Sequence, residues 1–324
     1  MCRADSRFNG TGAQISMNAW FHKTSPENRG ALLLVLGISI FGFSDNLTLL
    51  VSDQVGVGQF HLSRSLFAVL LIAAFSRILG HTIMPVRWKP MIARTACMVI
   101  AILVYFSVMP MMPIAEAGAG LFTSPVFVLL FSSLFFKDHI GWRRALAVAI
   151  GTAGVLLILK PGQAGFSPFH MLPVLSGASY ALGSIITYRY LGDESPMAIL
   201  MSFFVAIGLC GALVASYFAI FPVPDSLHTQ APFLFTGWQS VGTDFWLWMM
   251  LIAIGASVAL SLMTRAYQIA KTSYAAIYEY AYLLSVGIFG WMFWDITPDL
   301  ISLAGIICIM IAGIVIVLAQ QDIS

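Results

Sequence analysis

Apolar residues in this chain come in long, nearly unbroken blocks, not in the narrow stripes of a water-exposed helix. Ten blocks follow one another, near 30–50, 60–80, 91–110, 113–136, 142–159, 168–190, 196–221, 244–265, 272–293 and 299–319. A helix of about twenty residues, rising ~1.5 Å per residue, covers the ~30 Å hydrocarbon layer of a bilayer. The pattern therefore predicts ten membrane-crossing helices. Connections as short as Pro110-Met111-Met112-Pro113 make neighbouring helices antiparallel. The longest connection, around 222–243, carries Pro222, Pro224, Pro232 and Gly237, with Phe233, Phe235 and Trp238 suited to the headgroup layer. Ahead of the first block, residues 1–29 are polar and lack the apolar core of a signal peptide, so they read as a disordered cytoplasmic tail, with Met17 an alternative start. Within that segment Ser25-Pro26-Glu27 reads as a helix start: a capping hydroxyl, a proline, and an acid on the positive end of the helix dipole.

One hairpin of blocks occurs twice. Ala117 to Gly162 holds two apolar runs around the charged hinge Lys137-Asp138-His139, followed by Arg143 and Arg144. Ser273 to Val317 repeats the design imperfectly, and both copies close on a glycine-spaced run, Gly151 and Gly154 against Gly305 and Gly313. Five helices per copy is an odd number, so the second copy enters the membrane upside down relative to the first. The expected architecture is all-α and integral to the membrane, with ten transmembrane helices as two inverted five-helix repeats over 30–160 and 167–319. Such inverted repeats are a common design of secondary transporters, with the site near the bilayer midplane.

Composition agrees. The 324 residues are 59% hydrophobic and 9% charged, against ~25% charged in a soluble protein. With the N-terminus in the cytoplasm, 14 of the 16 Lys and Arg fall inside or at inner helix ends; Lys160 falls outside and Arg64 within a helix. This split follows the positive-inside rule and places both termini in the cytoplasm, as ten crossings require. Cys2, Cys97, Cys210 and Cys308 stand apart, without metal-ligand spacing.

The segment AGLFTSPVFVLLFSSLFFKDHIGWRRALAVAIGTAGVLL, from Ala119, resembles the end of an EamA repeat, the unit of the drug/metabolite transporter (DMT) superfamily. In that pattern a mid-helix proline, here Pro125, precedes a hinge, here Lys137-Asp138, and a glycine-rich final helix, here through Gly154-Val155. The second copy is similar, with a tyrosine-rich helix, Pro298-Asp299, and Gly305 and Gly313. Asp45 and Arg64, in Phe41-Gly-Phe-Ser-Asp-Asn and Phe60-His-Leu-Ser-Arg-Ser, resemble the family's acidic and basic positions. The resemblance, over roughly residues 30–319, implies a ten-helix carrier of small metabolites such as amino acids, nucleotide-like compounds or amphipathic drugs. S-adenosylmethionine is one candidate substrate.

Ionisable residues inside spans carry the candidate chemistry, since each costs ~2.5–3.5 kcal/mol at a helix centre. Asp45 and Arg64 fall at similar depth near the outer ends of the first two helices. They are either an ion pair pinning those helices, or a substrate carboxylate or phosphate anchor on Arg64 with Asp45 as its resting partner. Glu116 either reaches the headgroup layer or joins that cluster. Glu279 lies about seven residues into the ninth block among Tyr274, Tyr278, Tyr280 and Tyr282. It is a substrate-cation site, a carrier of a coupling proton, or a hydrogen-bonded structural acid. Tyr180, Tyr188, Phe41 and Phe43 line either an aromatic cavity or a packed core. The substrate-binding candidates are thus Asp45, Arg64, Glu116, Tyr180, Tyr278, Glu279 and Tyr282. Pro125 is expected to free a backbone carbonyl and kink the fourth helix.

No phosphate-binding loop, HExxH pair or nucleophile elbow is present in the sequence, so neither an enzyme nor a cofactor is expected. The expected partners are a small-molecule substrate, membrane lipid and a coupling proton, with no nucleic acid, in a monomer or homodimer of a bacterial inner membrane. The expected function is secondary active transport by alternating access; a passive channel or a non-transporting scaffold is the alternative.

Overall fold

The computed structural model describes residues 25–112, 114–121, 123–137, 141–160, 171–295 and 299–321. The tail before Ser25, Asp138 and His139 of the first hinge, and Pro298 lie outside the described residues.

Ten helical rods run through the described chain. They are α1 (Pro26–Thr48), α2 (Val57–Leu79), α3 (Trp88–Val108), α4 in two pieces (Ile114–Leu121 and Ser124–Phe136) and α5 (Trp142–Leu159). The second five are α6 (Leu172–Tyr190), α7 (Pro196–Ile220), α8 (Thr243–Ile269), α9 in three pieces (Thr272–Ala275, Ala276–Tyr280 and Ala281–Trp294) and α10 (Leu300–Gln321). Local chemistry sets several ends. Ser25 caps α1, its hydroxyl accepting the Asn28 N–H at 3.3 Å, with Pro26 in the first turn. Gly80, at φ 69°, ends α2 in the left-handed region that glycine adopts without strain. Among the described residues seven helices are long and apolar enough to cross a membrane. Leu70, Ile78, Leu213 and Ile288 stand exposed on the outer faces of the rods, where lipid rather than water is the compatible solvent.

The packing repeats under inversion. The most extensive helix pairs are α1 with α8, α2 with α7, α3 with α6 and α5 with α10. Exchanging each helix n with n + 5 maps this set onto itself, and maps α1–α9 onto α6–α4, which also pack. Serine hydroxyls mark equivalent seams. Ser44 on α1 donates to the Ile252 carbonyl of α8 at 3.3 Å, while Ser179 on α6 donates to the Cys97 carbonyl of α3 at 2.8 Å. Backbones come closest where α2 crosses α7: a Cβ on Gly58 would lie 2.7 Å from the Gly211 carbonyl oxygen, and one on Gly211 2.6 Å from that of Gly58. The α5–α10 crossing is built alike, with a Cβ on Gly305 falling 2.6 Å from the Gly154 carbonyl oxygen. In lipid, where apolar burial drives little helix association, such close approach is a main source of cohesion.

Lys160, the basic residue on the otherwise basic-poor side, is paired. Its ammonium donates to Asp299 at 2.7 Å, joining the end of α5 to the start of α10. That hydrogen bond, with one from the Ser302 N–H, holds the Asp299 carboxyl down to about 2, so the pair opens only in strong acid.

The glycine crossing makes a contrast testable by thermal unfolding in detergent. Gly211→Leu should lower the midpoint, by the ~1–3 kcal/mol typical of overpacking. Gly287→Ala meets open space and should leave the midpoint unchanged or slightly raised, by up to ~1 kcal/mol.

Candidate functional site

Both broken helices, α4 and α9, break at the same place in space. In α4 the break falls ahead of Ser124-Pro125, where Pro125 lacks the N–H that would bond back to Leu121. At the expected kink the backbone tightens, the Thr123 and Val126 N–H groups bonding three residues back to Gly120 and Thr123, with Thr123 turning its hydroxyl onto the Gly120 carbonyl at 2.7 Å. In α9 no proline is present, yet Ala276–Tyr280 winds as a 3-10 segment. Its three-residue period stacks Glu279 over the small Ala276 and Tyr280 over Ile277, and all four are buried.

Glu279 is fully buried. It accepts hydroxyl hydrogen bonds from Ser124 at the α4 break, from Tyr267 near the end of α8 and from Tyr180 in the middle of α6. The donors come from both halves of the chain. Tyr180 and Tyr267 also meet edge to face, with ring centroids 6.4 Å apart. An ionised carboxylate only accepts, so three hydroxyl donors suit it as they stand.

Asp45 forms a second cluster. Tyr105 of α3 reaches its Oδ2 at 2.8 Å, Tyr282 of α9 reaches the same oxygen at 2.7 Å, and the two hydroxyls lie 2.7 Å from each other. Gly118 makes room for this arrangement: a Cβ there would fall 2.2 Å from the Tyr282 ring. Glu279 and Tyr282 lie three residues apart on α9, so one helix carries part of each cluster.

Arg64 is buried, but it does not form the expected ion pair with Asp45. Asp45 is engaged by two tyrosine hydroxyls, and the guanidinium is drawn elsewhere. It lies over the rings of Phe106 and Phe60, 4.9 and 5.3 Å from their centroids, and its Nη2 donates to His61 Nδ1 at 3.1 Å. His61 therefore presents a lone pair at Nδ1, the neutral form. Arg64 Nε and His61 Nε2 are buried with no hydrogen-bond partner among the described residues.

The remaining expected site residues scatter. Tyr278 is half-buried and packs against the main apolar core. Phe41 meets the Tyr282 ring at 6.0 Å, whereas Phe43 packs onto Phe289 and Phe293. The Glu116 side chain lies outside the described residues. Sequence reasoning missed Ser124, Tyr105, Tyr267 and His61, and also Arg94, buried on α3 against Phe203 with Nε and Nη1 lacking a hydrogen-bond partner among the described residues. Tyr105 carried a usable signal: it stands near the same helix end as Asp45, on an apolar span.

Two polar closures flank the clusters at opposite ends of the rods. At the end bearing Arg77, Lys89 and Arg265, buried Glu194 in the α6–α7 connection accepts backbone N–H groups from Val86 (3.0 Å) and Arg87 (2.5 Å) ahead of α3. Gln268 ties that connection to α8 by donating to the Leu191 and Glu194 carbonyls at 2.8 and 2.7 Å. At the other end Gln59, in the first turn of α2, exchanges two bonds with the Gln239 backbone of the α7–α8 connection, at 2.9 and 2.7 Å. Under the exchange of n with n + 5, each closure falls on the other.

With this geometry in view, the chain's relatives can be placed. Residues 28–160 match the EamA-like transporter family. The chain is 25% identical over 288 residues to the pseudopaline exporter CntI of Pseudomonas aeruginosa, covering 88% of this chain and 94% of that one. It is 27% identical to a riboflavin transporter of Brucella anthropi, over 71% of this chain and 76% of the other. To an S-adenosylmethionine uptake transporter of Rickettsia bellii it is 25% identical, over 64% and 65%. One solved crystal structure superimposes with a TM-score of 0.68 at 16% identity, over 91% of this chain and 97% of its own, a likeness of fold.

The Glu279 cluster predicts a ranking in thermal stability. Glu279→Gln keeps an acceptor oxygen and should cost little. Glu279→Leu strands buried hydroxyls at ~1–3 kcal/mol each and should lower the unfolding midpoint distinctly more.

Proposed function

We propose that this chain, whose residues 28–160 match the EamA-like transporter family, is a secondary carrier that moves a small metabolite across the membrane by alternating access. The observation that carries this reading is Glu279, an acid at the meeting of two interrupted helices whose three hydroxyl donors are drawn from both halves of the chain. Such a seat is remade whenever the halves move against each other. A structural acid in lipid would be better served by neighbours on one rigid unit.

The seat suits a substrate with a cationic or N–H-rich group. The ammonium or ring N–H displaces one hydroxyl and meets the carboxylate, while Tyr180 and Tyr267 offer their ring faces. Arg64, with its Nε unpartnered, supplies the complementary site for a carboxylate or phosphate on the same molecule. An amino-acid-like or nucleotide-like metabolite carries both. The relatives are a pseudopaline exporter, a riboflavin transporter and an S-adenosylmethionine uptake transporter, so both an exporter and an uptake carrier are among them. The two closures supply the gates. The Glu194 closure opens toward the basic side, which the positive-inside rule makes cytoplasmic, and the Gln59 closure opens away from it. In this reading the repeats are 30–160 and 167–319, both termini are cytoplasmic, and the membrane is a bacterial inner membrane. The chain binds and releases its cargo unchanged.

A thermal-shift screen of the purified protein against amino acids, nucleotides and cationic drugs should yield a stabilising ligand. In proteoliposomes that compound should move with saturable, trans-stimulated flux, and Glu279→Gln should weaken its uptake about tenfold or more, the loss expected for a hydrogen bond to a charged group. Flux that rises without saturation marks a channel, and absence of flux marks a scaffold; either overturns the carrier.

A further inference from the structure

The three oxygens around Asp45 pose a problem of proton count. Asp45 Oδ2, Tyr105 OH and Tyr282 OH form a nearly equilateral triangle with edges of 2.8, 2.7 and 2.7 Å. Each edge has the length of an O–H···O hydrogen bond, and each such bond needs one proton. The two tyrosines bring two. With Asp45 ionised, one edge is left as two oxygen lone pairs facing each other at bonding distance, in a site sealed from water. With one proton on Oδ2, the count closes: Asp45 donates to one tyrosine, that tyrosine to the other, and the second back to Oδ2. Glu279 differs, for its three donors each arrive with their own proton.

We propose that Asp45, Tyr105 and Tyr282 form a proton-binding site, occupied in this closed arrangement, and that Asp45 rather than Glu279 holds the coupling proton. Uptake forms one O–H bond on Asp45 and discharges its carboxylate; release returns that proton to water on the open face. Other groups around it favour such a switch. Arg64 of α2 is close enough for its charge to act on Asp45 without bonding to it, and it is held off by neutral His61, Phe60 and Phe106. On α8, which meets α1 at Ile252 and Ser44, the titratable residues lie toward the ends: Asp244 at one, Arg265 and Tyr267 at the other. α9 brings Tyr282 to the site, and α3 brings Tyr105. Because Tyr282 and Glu279 share α9, a rotation of that helix that frees Glu279 from Ser124 also opens the triangle, and Asp45 then loses the acceptor that its proton needs. Proton release and substrate release become one movement. The coupling role and this consequence rest on the carrier reading; the protonation of Asp45 itself does not.

The test needs no substrate. Infrared spectra of the full chain in liposomes at neutral pH should show a protonated-carboxyl C=O band that Asp45→Asn removes and Glu279→Gln leaves in place. Tyr105→Phe opens one edge of the ring and should shift that band or abolish it. A band unchanged in Asp45→Asn overturns the proposal, as does one removed by Glu279→Gln instead. Should Asp45→Asn fail to fold, an unshifted band in Tyr105→Phe overturns it alone. In each case the transporter reading stands or falls separately, on flux.

Discussion

A carboxyl group inside a bilayer is tolerated only when other groups supply the hydrogen bonds that water would have made. Among the described residues the helical rods bury two, Asp45 and Glu279, and five hydroxyls from five different helical pieces converge to serve them: Tyr105, Tyr282, Ser124, Tyr180 and Tyr267. Much of the central architecture follows from that requirement. The α4 helix must break to aim Ser124, α9 must tighten into a 3-10 segment to aim Glu279 inward, and Gly118 must lack a side chain so that the edge of the Tyr282 ring can fit against it. Each local irregularity is explained by what it delivers to an acid.

The outer shell answers a different constraint. Lipid offers helices no hydrophobic reason to associate, so cohesion rests on close backbone approach and on serine hydroxyls turned to neighbouring carbonyls. Gly58 with Gly211 and Gly154 with Gly305 place these approaches where α2 meets α7 and α5 meets α10, the two pairings that inversion leaves in place. These tight seams hold the periphery, while the centre is joined by single hydrogen bonds that can be exchanged one at a time. Interhelical bonds of this kind average only ~0.6 kcal/mol.

Much of the fold was legible in the sequence. The ten apolar blocks agree with the rods to within a few residues at most ends, and Ser25-Pro26 starts α1 as its chemistry suggests. Length and hydropathy are properties of a segment alone, so they can be read from it. The exceptions are instructive. Pro125 announced an irregularity in α4, but nothing in Ala276–Tyr280 announces the 3-10 turn, which packs against α1, α4, α5 and α10. The candidate site was legible in its charges and not in their partners. Asp45 and Arg64 were visible as costly residues at one depth, and pairing them was the economical reading. Depth fixes one coordinate only: rotation about each helix axis turned Arg64 onto Phe60, Phe106 and His61 and left Asp45 to tyrosines from α3 and α9. Those tyrosines lie 60 and 237 residues away in sequence, beyond the reach of any local pattern.

If the two polar closures are gates over a shared seat, they must open one at a time. Spin labels across the Glu194 closure, at Met84 and Asp193, and across the Gln59 closure, at Asp53 and Ser240, occupy exposed positions suited to pulsed dipolar distance measurement in liposomes. The account predicts that a stabilising ligand redistributes the protein between states in which one pair is far apart while the other stays close. A state with both pairs wide, or two distances that never change, would contradict it.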